Sequence, residues 1–131
     1  MKEEVPAGDQ VAPIGRERVA RGGKDHALIT YDATLWKALE AAEQLGKEDG
    51  LSVEVLDLRT LLPMDDEAIV ATVKKTNRVL ILHEDTRQRG AAGEAAARIL
   101  QPAFSGLDAP HRPPTAADVA PPLPSPTAHR R

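Results

Sequence analysis

Apolar positions along the chain cluster in short runs between polar, turn-forming stretches, and the period of each run predicts an element. "HALITY" (26–31), "LSVEVLDL" (51–58) and "RVLILH" (78–83) are mostly apolar and of strand length, which suits strands covered on both faces. "RVAR" (18–21) is a shorter strand candidate, closed by Gly22-Gly23 at a turn. Leu35, Ala38, Leu39, Ala42 and Leu45 recur at helical spacing behind Thr34, the expected cap, and Gly46 and Gly50 flank the end of that helix. A second helix opens on Asp65 as N-cap; "DDEAIVATVKKT" (65–76) carries acids in its first turn and lysines in its last, the order that complements the helix dipole. "GAAGEAAARILQPAF" (90–104) predicts a third. Strands alternating with helices at this spacing imply right-handed βαβ units. The predicted fold is α/β, a three-layer α/β/α sandwich around a mostly parallel sheet.

The flanks read differently. Residues 1–15 are polar and punctuated by Pro6, Gly8, Pro13 and Gly15, as an arm or linker would be, which leaves 16–110 as the domain. Residues 110–131 hold seven of the chain's eleven prolines. Proline lacks an amide donor and cannot enter a central strand, so 111–131 is expected to be an extended or disordered tail.

Composition then removes whole classes of function. At 131 residues there is room for a single modest core. With 17 basic against 20 acidic residues, no strong field draws in nucleic acid or an anionic membrane. Tyr31, Trp36 and Phe104 are the only aromatics, too few for a base-stacking platform. The absence of cysteine excludes disulfides, thiolate nucleophiles and cysteine-based zinc sites. No apolar run approaches the roughly 18 residues of a membrane span, and "MKEEVPAGDQ" is no signal peptide. A soluble, cytoplasmic protein is expected.

Most candidate motifs fail on inspection. "GGKD" (22–25) lacks both the hydroxyl residue and the earlier glycine of a phosphate loop, and "GAAG" (90–93) lacks the three-glycine dinucleotide pattern. "HEDTR" stops short of HExxH, the four histidines show no metal-ligand spacing, and no serine sits in a G-x-S-x-G elbow. Two constellations remain. His83-Glu84-Asp85 follows the third long strand at the carboxyl edge, where an α/β sheet usually places function; a His beside a carboxylate can act as a base, or can simply end the strand and prime the next helix. Asp57 and Arg59, at the end of "LSVEVLDLR", share a face if the strand persists, so a structural ion pair is expected, with a carboxylate supplied from outside as the other possibility.

Longer stretches carry more. "KEEVPAGD", "APIGRERVARGGKD", "LITY", "ALEAAEQL", "SVEVLDLRTLLPMDDEAIVATVKKTNRVLILHEDT", "GEAAARI" and "FSGLDAP" resemble, in order, the C-terminal domain of the beta subunit of thiamine-diphosphate-dependent 2-oxo acid dehydrogenases, of the pyruvate and branched-chain type. The domain is of the transketolase C-terminal type, and the resemblance covers residues 3–110. It departs from the family at Asp32, where relatives have a glycine after "TY", at "RQRG" (87–90), where they have a glycine-rich turn, and at "HRPP" (111–114), which replaces a final strand.

The resemblance implies a structural and subunit-interaction domain, inactive alone. Thiamine diphosphate and magnesium would lie between the alpha subunit and the N-terminal half of the beta subunit, so no catalytic, cofactor or metal residue is expected in this chain. Expected partners are those two pieces, the dihydrolipoyl acyltransferase core, and further copies of the chain. Asp108, in "LDAP", matches a docking position; Asp57, Arg59, His83 and Glu84 would serve the interface. The rival reading is a small stand-alone enzyme or anion-binding domain using Arg59, His83 and Glu84.

Overall fold

The structure, a computed structural model, describes residue 8, residues 11–84 and residues 93–98. Elements follow in the order β1 (Arg18–Arg21), β2 (His26–Thr30), α1 (Thr34–Glu48), β3 (Val53–Asp57), α2 (Asp66–Thr76) and β4 (Val79–Leu82), and residues 93–98 form a further helical segment, α3. The four strands make one sheet in the order β1-β3-β2-β4. β2 runs parallel to both β3 and β4, and β1 runs antiparallel to β3 with a bulge between Val19 and Arg21. The sheet is therefore mostly parallel, as the pattern predicts.

Each long strand alternates its side chains between two cores. Leu28, Val53 and Val55 face α1, which presents Leu35, Ala38 and Ala42. Ile29, Leu56 and Ile81 face the other way, against Ile69 and Val73 of α2 and Ala95 of α3. Ala38 and Ala42 of α1 are fully buried; such short side chains let a helix approach a sheet closely. Arg98 of α3 bonds both carboxylate oxygens of Asp66 at 2.9 Å, tying α3 to the start of α2. The predicted helix 90–104 is described only over 93–98, and the predicted tail 111–131 lies outside the described residues.

Local details depart from the expectations in three places. Thr34 is not the cap of α1 but its first residue: Ala33 holds the cap position without a side-chain bond. The Thr34 hydroxyl donates instead to the Tyr31 carbonyl at 2.7 Å and accepts from Thr30 at 2.7 Å, stitching the helix to β2. Gly46 lies inside α1 rather than at its flank, and Gly50 (φ +70°) makes the left-handed exit. The strands are also shorter than the apolar runs, because pairing ends before hydrophobicity does. Asp65 does cap α2, accepting from the Ala68 amide at 3.3 Å.

Candidate functional site

The sheet order determines where a site can form. The chain leaves β2 for α1 on one face and β3 for α2 on the other, so the carboxyl ends of these neighbouring strands diverge into a crevice. Open α/β sheets bind ligands and partners at such switch points. Here the crevice is a cleft of about 750 Å³, bounded by Tyr31, Asp32 and Trp36 after β2, by Asp57 and Arg59 after β3, and by Ile14 of the arm.

Asp57 and Arg59 do come together, but not as the expected ion pair. β3 ends at Asp57, and Arg59 takes a left-handed conformation (φ +55°) that breaks the two-residue side-chain repeat. The buried Asp57 carboxylate accepts from the Arg59 backbone amide at 3.2 Å, a turn bond, and no carboxylate among the described residues pairs with the exposed guanidinium. A short polar side chain that bonds the backbone two residues on is how aspartate stabilises a turn. The acid thus sets the loop, and the base is left facing the cleft.

His83 is placed one strand away and differently. It is 4 % exposed, neither ring nitrogen has a hydrogen-bond partner, and its ring stacks on Tyr31 with centroids 6.5 Å apart. Glu84 is exposed, so the structure does not assemble the adjacent pair into a base and its orienting carboxylate. His83 reaches the cleft only through Tyr31. Asp85 and Asp108 lie outside the described residues.

The arm forms one wall of the cleft and is fastened at its base. The Gly15 amide donates to Thr60 Oγ1 at 2.9 Å, and Arg16 Nη1 meets Asp65 Oδ2 at 3.3 Å. Glu17 follows, with its Oε2 buried and unpartnered next to Asp65. Burial raises its carboxyl above the usual carboxylate range, and the negative Asp65 pushes the same way. Ile14 and Leu61, which line the cleft, are exposed, as are Val11 and Leu62 next to the lining residues in sequence, Leu62 at 86 %. Motif searching misses this surface, since none of its apolar residues belongs to a chemical pattern; the available signal is that two of the three aromatics, Tyr31 and Trp36, fall in the link after β2 and the first turn of α1.

A second unanticipated feature lies on the α2 face of the sheet, away from the cleft. Glu54 of β3 is 2 % exposed, and its carboxylate receives the Lys75 ammonium from α2 and the Gly23 amide at 3.3 Å. The signal for it is a lone acid in an otherwise apolar strand.

Comparisons with known proteins agree with this geometry. The 2-oxoisovalerate dehydrogenase subunit beta of Bacillus subtilis is 47 % identical over 110 residues, covering 84 % of this chain and 33 % of that protein. The pyruvate dehydrogenase E1 component subunit beta of Staphylococcus aureus is 42 % identical over 118 residues, covering 90 % of this chain and 36 % of that protein. The chain thus spans about a third of the length of these curated relatives. A solved structure titled "Split gene transketolase, inactive beta4 tetramer" superposes with a TM-score of 0.72 at 30 % identity, over 89 % of this chain and 37 % of that one. The family profile described as "Transketolase, C-terminal domain" matches residues 15–130, running past the point where the quoted motifs stop. With the mixed sheet, its strand order and its helices on both faces, these matches make the chain a member of the transketolase C-terminal domain family.

Proposed function

We propose that the chain is the C-terminal structural and subunit-interaction domain of a 2-oxo acid dehydrogenase beta subunit. The observation that carries this reading is that both relatives are beta subunits of such enzymes, matched over about a third of their length. The exposed apolar rim of the cleft supports it, because a contiguous apolar surface marks an interaction site. Asp57 and Arg59 would set the charged centre of that interface, with His83 supporting it from beneath Tyr31 and Glu84 at its margin. The partners in this reading are the alpha subunit and the remaining part of a beta subunit, with the dihydrolipoyl acyltransferase core meeting Asp108. Self-association fits the structural neighbour's description as an inactive beta4 tetramer. A cytoplasmic setting belongs to the same reading; among the described residues no helix is long and apolar enough to cross a membrane.

Thiamine diphosphate and magnesium would belong to the assembled enzyme. The described residues do not fit them. No group of three or more His, Cys, Asp or Glu side chains converges among the described residues, and Arg59 shares the cleft with Asp32 and Asp57, a poor cradle for a diphosphate. No step through either group is assigned to this chain.

The test mixes the purified chain with the alpha subunit and beta N-terminal part of the Bacillus subtilis 2-oxoisovalerate dehydrogenase. Association is followed by sedimentation and decarboxylation by 2-oxo acid consumption, with thiamine diphosphate and magnesium supplied. The chain alone is expected to give no turnover above the no-enzyme control, and to associate with the added pieces. Turnover by the chain alone, lost in Arg59→Ala or His83→Ala, would instead establish the stand-alone enzyme.

A further inference from the structure

The arm that walls the cleft is held to the rest of the domain at Gly15 and Arg16, and Glu17 beside them carries a proton-dependent charge. Gly15 is bonded to Thr60 and packs on Pro63, so closely that a Cβ at Gly15 would come within 2.8 Å of the Pro63 ring. Two residues on, Glu17 brings a partly buried carboxyl beside Asp65. Asp65 is already engaged: one oxygen caps α2 through the Ala68 amide and the other meets Arg16. With both carboxyls ionised neither can donate to the other, and Glu17 Oε2 is left without a partner. A single added proton converts the pair into a donor and an acceptor.

We propose that Glu17 and Asp65 form a proton-operated clasp that fastens residues 11–16 along the cleft when the two carboxyls share a proton and loosens them when both are ionised. The charged groups acting on Glu17 are Asp65, at the start of α2, and Arg16, beside it on the arm. Arg16 favours the ionised form, but it is exposed and shared with Asp65. Burial, then Asp65, raises the Glu17 carboxyl, which gives the sign. The fastening is fully present below the ordinary glutamate range and is lost as pH rises through the raised value. Ala12, Pro13 and Ile14 move with the arm, so the proton controls how open one wall of the cleft is. The clasp is a property of this chain alone and does not depend on which partner the cleft meets.

Trp36 supplies the readout, being the chain's single tryptophan and lining the same cleft as the arm. Its emission and its quenching by acrylamide are measured on the full chain between about pH 4 and pH 8, a range that brackets a raised carboxyl. The wild type is expected to show one transition, with quenching about twofold stronger on the alkaline side as the wall opens. Glu17→Gln keeps a donor at the protonated position without the charge, and should hold the weakly quenched state throughout. Asp65→Asn preserves a good helix cap while removing the like charge, and should move the midpoint to lower pH. A flat wild-type profile, a Glu17→Gln chain that titrates like the wild type, or an unmoved midpoint in Asp65→Asn would each overturn the clasp.

Discussion

Gly23 is the residue with the least room for change. A Cβ there would lie 2.2 Å from the Glu54 nitrogen and the Val53 carbonyl carbon, and 2.7 Å from the Val53 oxygen, all of them backbone atoms that cannot rotate aside. The sequence suggests a turn at Gly22-Gly23, but the requirement is a close approach between the chain after β1 and the start of β3. Gly23→Ala is therefore expected to cost about 1–3 kcal/mol, the range for forcing atoms into filled space. Gly22→Ala, where a Cβ meets nothing within 4 Å, should cost far less. Urea unfolding of the two variants checks the contrast. Asp32 shows the converse case. Its φ of +54° lies in the left-handed region that favours glycine, and aspartate is among the side chains that tolerate it. Arg59 shares that conformation, and this could not be read from "DLRT", where an extended continuation looks equally natural.

Among the elements, the apolar runs located β2, β3 and β4, the strands that pair in parallel, whereas β1, antiparallel and half polar, is marked chiefly by the Gly22-Gly23 turn that follows it. Their ends were less legible. β3 stops at Asp57 because that side chain turns back to the Arg59 amide, a choice made by local hydrogen bonding rather than by hydrophobicity. The link between β3 and α2 was invisible for a related reason. A Lys in the last turn of a helix reads as a dipole partner, and only the three-dimensional packing shows Lys75 reaching Glu54. That bond matters to stability, since Glu54 is almost wholly buried while Lys75 is about half exposed. Lys75→Met leaves a buried carboxylate with only the Gly23 amide, and should cost about 2–3 kcal/mol. That is below the 3–5 kcal/mol of a fully buried pair, because solvent can still reach the lysine position. Replacing both residues, Glu54→Met with Lys75→Met, should recover much of the loss, since a buried pair and its apolar replacement are often close in stability. A double-mutant cycle in urea measures the coupling, and additive losses would show that the two side chains act independently.

For the molecule as a whole, the order of strands decides which surface is available, and that order could not be read from the pattern. The sequence placed Asp57, Arg59 and His83 at strand ends; it did not show that β2 lies between β3 and β4, which puts Tyr31 between His83 and the cleft and leaves Arg59 in the crevice. Nor did it reveal that the arm closes one side, which follows from the single bond between Gly15 and Thr60 and the packing on Pro63. The result is an apolar rim around a charged centre, with Leu62 among the most accessible large apolar side chains beside it. Leu62 makes a discriminating test because its exposure separates folding from association. At 86 % exposed it contributes little burial to the isolated domain, so Leu62→Asp should leave the unfolding midpoint within about 0.5 kcal/mol of the wild type. On a partner surface the same leucine would bury most of its area, a gain of about 1.5–3 kcal/mol. At 1.4 kcal/mol per tenfold, its loss weakens association by roughly 10- to 100-fold. The introduced carboxylate would add a desolvation cost in the same direction. Sedimentation and calorimetric titration of the wild type and Leu62→Asp, against further copies of the chain and against the alpha subunit with the beta N-terminal part, measure the difference. Unchanged affinity for all of them, in a variant that remains folded, would remove Leu62 from the interface and move the docking surface away from the carboxyl edge.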